Sequence, residues 1–341
     1  MPAKIRIAVD AMGGDHAPPL VVDGAVAAAR RGDATIVMVG ATGDLHRALA
    51  RHSDWSSLPL EIVDACELIS MTESPAVALR RKPRASIRVA AELLARHEVE
   101  ALVSAGHTGA TVIATHAALG MIDGVDRPAL AAAIPTRARP AVLLDAGANA
   151  ECRPHHLLQF AVMGSVYAHV AWGVERPRVG LLSIGEEATK GNDLTREAHR
   201  LLTGAPVNFI GNVEGREIYN GAADVIVCDG FTGNVVLKTS EGLVETVETL
   251  LGDELRSGWS SRLGYLLSRR AFQRFRSRVD YSEYGGATLL GVAGLTIVGH
   301  GRSSAKAIEN AIGLASRFAA ASFTARVAQE IGAMTVTRKP A

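Results

Sequence analysis

Lys190 lies between Thr189 and Gly191, just before a helical stretch that opens near Asp193. An ammonium, a hydroxyl and a flexible backbone at a helix start suit a phosphate dianion, because the free N–H groups and the helix dipole add to the charge. Four other short apolar, β-rich runs end in similar turns. Asp10 leads into Gly13, Gly14 and His16. Ser104 leads into Gly106, His107, Thr108 and Gly109. Asp145 leads into Gly147 and Asn149, and Cys228 leads into Thr232, Gly233 and Asn234. Any one of these is ordinary βα-turn chemistry. Five aligned at one sheet edge point to an anion or oxyanion cradle. The spacing matches neither the Walker A pattern nor GxGxxG, so a nucleotide is not implied.

A protein nucleophile is harder to find. GxSxG and HExxH are absent, and no cysteine neighbours a histidine in sequence. His155–His156, at an expected helix start, reads as a capping or surface pair rather than metal ligands. No metal and no cofactor are expected. Inorganic phosphate is anionic at neutral pH and could itself attack; the protein then has to position it and stabilise the developing oxyanion. Lys190, with donors from Thr189 and Asn234, is the candidate group for this. Asp10, Asp145 and Asp229 fit turn-capping better than general-base roles, because a carboxylate beside phosphate opposes binding.

The elements that must carry these turns are legible as continuous apolar runs. Strand candidates are Ile5–Asp10, Thr35–Gly40, Leu60–Val63, Ala101–Ser104, Ala129–Ile134, Ala141–Asp145, Val179–Ile184, Val207–Gly211, Asp224–Cys228 and Leu295–Val298. Runs apolar on both faces belong to a covered, parallel or mixed sheet. Helix candidates between them include Pro19–Arg31, Arg84–His97, Pro154–Trp172, Leu194–Leu202, Gly233–Leu251 and Ser303–Ile331. The alternation predicts an α/β fold: a layered, mostly parallel or mixed sheet with helices on both faces. We expect a single α/β catalytic domain over residues 1–334, with a protruding helical element at about 252–280 and a disordered tail at 335–341.

Composition narrows the function class. The chain has 341 residues, 48% hydrophobic and 21% charged, which excludes a disordered polymer. A net charge of +1 and only 4% aromatic residues argue against a nucleic-acid partner. Cys66, Cys152 and Cys228 form no CxxC pair and read as free, mostly buried thiols of a reducing compartment. The amino-terminal run has charges threaded through it, so no secretory signal is expected. Residues 255–279 hold seven arginines and no acid. Leu255, Trp259, Leu263, Leu266, Leu267, Ala271 and Phe275 recur at helical steps, with Arg269, Arg270 and Arg274 around them. Such an element can lie on anionic lipid, dock an acidic protein partner, or pack as a dimer arm.

Eight segments carry a family resemblance: IAVDAMGGDHAP, SAGHTGA, LLDAGANAECRPHHLLQFAVMG, LLSIGEEATKGND, FIGNVEGREI, DVIVCDGFTGNVVLKTSEG, YSEYGGATLLGV and GHGRSSAKAI. In this order, from about Ile5 to Gly332, they resemble the bacterial phosphate acyltransferases, the PlsX-type acyl-[acyl-carrier-protein]:phosphate acyltransferases. The resemblance implies a fold similar to the isocitrate/isopropylmalate dehydrogenase-like fold shared with phosphotransacetylases. It implies acyl transfer from a fatty acyl-carrier-protein thioester to inorganic phosphate, feeding a downstream membrane glycerol-3-phosphate acyltransferase in phospholipid synthesis. It also implies a cytoplasmic homodimer held peripherally at the membrane, with 255–279 as the matching element. Lys190 and Asn234 fall where the family places active-site polar groups, and His16 or His107 could donate to the leaving thiolate or the oxyanion. Gly13, Gly14, Ser104, Gly106, His107, Thr108, Gly109, Thr189, Gly191, Thr232 and Gly233 are the expected substrate-binding set. His107 replaces the asparagine usual in SAGNTGA, and RRKPRASI around Lys82 and Ala85 departs from the usual RRKKDSS-like text. The competing readings are a phosphotransacetylase acting on acyl-coenzyme A, a dehydrogenase on the same fold, and a non-enzymatic carrier-protein recruiter.

Overall fold

The structure, a computed structural model, describes residues 5–70, 72–256, 258–279 and 284–337. Eleven strands join in one sheet: β1 (Arg6–Asp10), β2 (Thr35–Gly40), β3 (Leu60–Asp64), β4 (Ala101–Ser104), β5 (Ala129–Ile134), β6 (Ala141–Leu144), β7 (Arg178–Leu182), β8 (Asn208–Val213), β9 (Val225–Val227), β10 (Ala287–Leu290) and β11 (Leu295–Val298). Their order is β3-β2-β1-β4-β11-β10-β5-β6-β9-β7-β8. β3, β2, β1, β4 and β11 run parallel, as do β6, β9, β7 and β8. Between the blocks, β11–β10, β10–β5 and β5–β6 are antiparallel. Three reversals leave the two blocks pointing opposite ways.

That reversal corrects one expectation. The turns after β1 and β4 leave one edge of the sheet, and those after β6, β7 and β9 leave the other. The five turns do not share an edge. The cause is β10, a four-residue strand behind Gly285 and Gly286 that the sequence pattern did not separate from its surroundings.

Helices cover both faces. On one face lie α1 (Pro19–Arg31), α2 (Thr42–Leu49), α6 (Pro154–Trp172), α7 (Asp193–Thr203), α10 (Ala305–Ala320) and α11 (Phe323–Thr337). Fully buried Phe160, Tyr167 and Phe318 anchor the main core there. On the other lie α3 (Pro75–Arg81), α4 (Ser86–Ala95), α5 (Thr108–Leu119) and the long α8 (Gly230–Arg256). α9 (Trp259–Val279) packs back along α8.

The expected helix at Ser303–Ile331 is two helices. Ser322 adopts a left-handed φ of 52° and ends the first, and the Phe318 and Phe323 rings stack across the break at 4.6 Å. α11 runs to Thr337, three residues into the stretch expected as tail; residues 338–341 lie outside the described residues. α5 begins in the Gly- and Thr-rich text TGAT and was not separable from the turn before it.

Candidate functional site

A cleft of about 1090 Å³ lies over β5, β10 and β11, between α5 and α8. Leu130 and Ala132 of β5 and Val298 of β11 floor it. Val112 and Ile113 of α5 face Leu237 of α8 across it. Its rim combines turns from both sheet edges: Asp15 after β1, Thr108 and Gly109 after β4, Gly147 after β6, Gly230 and Asn234 after β9, and Gly299–Ser304 after β11. The result is an apolar trough with a polar, glycine-rich mouth.

Of the expected substrate-binding set, Thr108 and Gly109 line the cleft, as does Asn234 of the expected active-site groups. Most of the others build its walls. Buried Ser104 donates its hydroxyl to Asp10 Oδ2 at 2.7 Å and accepts from the Gly106 N–H at 3.1 Å. Burial pushes the Asp10 carboxyl above its ordinary value. Gly13 and Gly106 meet backbone to backbone beside it: a Cβ on Gly13 would sit 2.6 Å from Asp10 Oδ2 and 2.8 Å from the Gly106 nitrogen. Gly14 packs against the carbonyls of Gly301 and Ala105. His107 caps α5, its Nδ1 accepting from the Gly109 N–H at 3.1 Å. His16 is exposed on the turn after β1 and does not line the cleft.

The opposite wall is built around Asp145. This buried carboxylate accepts five N–H groups: Leu130 and Gly147 at 3.0 Å and Ala148 at 2.8 Å on Oδ1, and the Asn149 backbone and side-chain amides, both at 2.8 Å, on Oδ2. Burial pushes its carboxyl up, and these donors oppose the push. Asp229 caps the first turn of α8 through the Thr232 N–H at 2.9 Å and hydroxyl at 2.8 Å. Gly233 is pressed onto the Asp145 carbonyl so closely that any side chain would collide with it. Asn234, one turn into α8, is exposed opposite Gly147.

The turn carrying Thr189, Lys190 and Gly191 follows β7, the neighbour of β9, at the same sheet edge as Asn234, but it does not line the cleft. Lys190 is exposed and its ammonium has no hydrogen-bond or ion-pair partner among the described residues. Gly191 packs against Thr195 and Ser183, and the Ser183 hydroxyl is buried without a partner among the described residues. Lys238 and the His300–Ser304 turn, both lining the cleft, escaped the sequence reading. Asn234, Lys238 and Glu241 recur at helical steps of four and three, a stripe that was readable on α8.

His155 and His156 do form a cluster with Asp126, their ligand-type atoms within 4.8 Å of one another. His156 Nδ1 accepts the Arg153 N–H at 3.1 Å, the capping arrangement the sequence suggested. His155 Nε2 pairs with Asp126 Oδ2 at 3.1 Å. Burial and His155 lower the His156 pKa. Of the thiols, Cys228 is buried and Cys152 partly so, but Cys66 is exposed, which departs from the expectation for that residue.

The α8–α9 pair carries the apolar surface expected at 255–279. Trp259 is 81% exposed, Leu266 64%, Leu267 80% and Phe275 49%, with Arg269, Arg270 and Arg274 exposed around them. Leu263 falls on the same helix, its side chain outside those described. Leu243, Val247 and Leu250 continue the exposed apolar surface on α8. Among the described residues no helix is long and apolar enough to cross a membrane.

The fold resembles that of a phosphotransacetylase from Streptococcus pyogenes, with a TM-score of 0.63 at 16% identity, covering 94% of this chain and 95% of that one. In sequence the chain is 50% identical over 332 residues to a phosphate acyltransferase of Syntrophotalea carbinolica, covering 97% of this chain and 95% of the relative. It is 51% identical over 315 residues to a phosphate acyltransferase of Acidobacterium capsulatum, covering 92% and 94%. Residues 5–326 match the family described as fatty acid synthesis protein. Half-identity over nearly the whole length, on the fold that the sheet order defines, places this chain in the fatty acid synthesis protein family.

Proposed function

We propose that the protein transfers a fatty acyl group from an acyl-carrier-protein thioester to inorganic phosphate. The observation that carries this reading is the cleft: an apolar trough of about 1090 Å³, opening on a rim of glycine turns and helix starts, in a chain half-identical to phosphate acyltransferases. Val112, Ile113, Leu130 and Leu237 would receive the chain. A phosphate oxygen attacks the thioester carbon and forms a C–O bond. The tetrahedral oxyanion collapses, the C–S bond breaks, and the electron pair leaves on sulfur as a thiolate that takes a proton from solvent. A thiolate with a pKa near ~8.5 leaves without a strong acid, so the work of the site is positioning and charge stabilisation. No redox step arises, and no cofactor is required.

Asn234 is proposed to donate to the oxyanion from the cleft mouth. Lys190, with Thr189, is proposed to meet phosphate from the adjoining turn, its ammonium free for an anion. His16 is proposed as a further donor to the leaving sulfur. We also propose that the protein works as a homodimer, peripherally on the membrane through α9, and hands acyl phosphate to a membrane glycerol-3-phosphate acyltransferase. The exposed apolar and arginine-rich surface of α9 supports that placement.

The test mixes protein, a long-chain acyl-carrier protein and phosphate, and follows thioester loss. Loss at the same rate without phosphate would make the protein a hydrolase. Equal or faster turnover of acyl-coenzyme A would favour the phosphotransacetylase reading, which the fold neighbour supports. Lys190→Ala should abolish turnover with folding intact; retained activity would remove Lys190 from the site.

A further inference from the structure

The β11–α10 turn and α8 bring several exposed hydrogen-bond donors to the cleft. His300, Gly301, Arg302 and Ser303 all line the cleft, and Lys238 reaches it from α8. His300 Nδ1 accepts the Arg302 backbone N–H at 3.2 Å. The ring proton of the neutral imidazole therefore sits on Nε2, which faces not an acceptor but the Lys238 ammonium at 3.4 Å. The His300 residue is exposed, yet partial burial of its ring, Lys238 and Arg302 lower its pKa against the opposing pull of Glu241 and Asp15. The Arg302 side chain is exposed, and among the described residues its guanidinium has no hydrogen bond or ion pair.

The acids nearby do not balance this. Glu241 Oε2 accepts from Lys238 at 2.8 Å and engages one of that ammonium's three donors. Asp15 lines the same rim, but its recorded tie to the turn is its backbone N–H, donated to the Gly301 carbonyl at 2.8 Å. A residue with an imidazole N–H, one with an ammonium and one with a forked guanidinium thus line the same apolar trough, the first two groups 3.4 Å apart. The donors suit an anionic acceptor with several oxygens: a carboxylate could engage the guanidinium fork alone, whereas a phosphate offers oxygens to all three groups.

We infer that Lys238, His300 and Arg302 form a phosphate-recognition site at the end of the cleft where α10 begins. The inference rests on the acyl-transfer reading and deepens it, because that reaction offers two phosphates: the inorganic acceptor, and the phosphodiester that tethers the thioester arm to its carrier protein. Both present the same oxygens to the same donors. This places phosphate recognition inside the trough, on residues separate from the Lys190 turn.

The test uses the full-length protein and the variants Arg302→Gln and Lys238→Gln, with Arg302→Lys as the charge-conserving control. Steady-state kinetics is measured with phosphate varied, with acyl-carrier protein varied, and with an acyl-pantetheine thioester that lacks the phosphodiester. If the site holds the acceptor, KM for phosphate rises by about tenfold or more in the Gln variants and only partly in Arg302→Lys. If it holds the tether, KM for acyl-carrier protein rises by that factor and KM for acyl-pantetheine does not. Unchanged KM values for both in folded Gln variants overturn the inference. Calorimetric titration of inorganic phosphate and of a pantetheine phosphodiester into the unmodified protein and each variant gives a readout independent of turnover. If thioester loss in the unmodified protein ignores phosphate, the acyl-transfer reading fails while these titrations still decide the site. Should one variant fail to fold, the other decides, since Lys238 lies on α8 and Arg302 on the β11–α10 turn.

Discussion

Replacing Asp145 by Asn tests whether one buried carboxylate holds the wall of the cleft. Its two oxygens accept five N–H groups, three on Oδ1 and two on Oδ2. An asparagine in the same rotamer keeps one oxygen and turns an NH₂ toward the other donors. Whichever way the amide sits, at least two buried N–H groups then face a donor. Each costs about 1–3 kcal/mol. Part of this is offset because a neutral amide escapes the burial that pushes the Asp145 carboxyl up. A net loss of about 2–4 kcal/mol is expected. With an unfolding entropy near ~2.1 cal/mol/K per residue, that lowers the melting temperature of a chain this size by roughly 3–6 °C. Differential scanning calorimetry reads the shift directly. Since Gly147 and Ala148 line the cleft, kcat/KM for acyl transfer should fall as well. A variant that melts within about 1 °C of the parent would show that the five bonds do not hold the loop, and the account of this wall would be wrong.

Other expectations follow from separate parts of the fold. In native protein at about pH 8, iodoacetamide should modify exposed Cys66 first; burial pushes the Cys152 thiol up to about 11 and Cys228 well above its ordinary value. Peptide mass spectrometry showing Cys152 or Cys228 labelled as fast would contradict this. Arg178 donates from Nε and Nη2 to the two oxygens of Asp224, both at 3.0 Å. Burial pushes that carboxyl up, but Arg178 outweighs it and holds it below 3.8. A depressed carboxyl contributes stability above its unfolded value and loses it as pH falls through the folded one. Arg178→Gln should therefore melt lower than the parent above about pH 4, with the gap closing at more acid pH; a gap independent of pH would refute the linkage. Replacing Leu266 and Leu267 by Asp removes two exposed leucines from α9 and should weaken sedimentation with anionic phospholipid vesicles by about 100-fold or more. Unchanged sedimentation with a loss of dimer mass would assign that face to the other subunit.

Much of the sheet was readable because buried strands are unbroken runs of Val, Ile, Leu and Ala. β2, β4, β5 and β11 begin and end where those runs do. Proline at the helix start and glycine past the end marked α1 and α6 equally well. Strand direction was not readable. Ala141–Leu144 is as apolar as Ala101–Ser104, and nothing in either run says that one points up the sheet and the other down. That information sits in β10, whose four residues were taken up in a glycine-rich motif. The same gap hid the assembly of the cleft. Thr108, Gly147, Asn234 and Arg302 are spread over more than half of the chain, and their turns, which leave opposite edges of the sheet, meet only around the cleft over β10 and β5. Glycine and small polar residues marked where the turns are, but not whether each serves a ligand or the wall behind it. Ser104, Gly106, His107 and Thr232 turn out to be engaged with protein groups.

The strand order has a consequence for synthesis on the ribosome. β4 and β5 follow one another in the chain, yet β11 and β10 lie between them in the sheet. A nascent chain thus completes β1–β4 and the block of β6, β9, β7 and β8 while the seam between them is still unmade. The hairpin that welds them is the last of the strands to emerge, and it carries Val298 of the cleft floor and the Lys238-facing turn with it. Truncation before β10 leaves two half-sheets with raw inner edges, which are templates for mispairing, and no fragment short of α10 can possess the cleft.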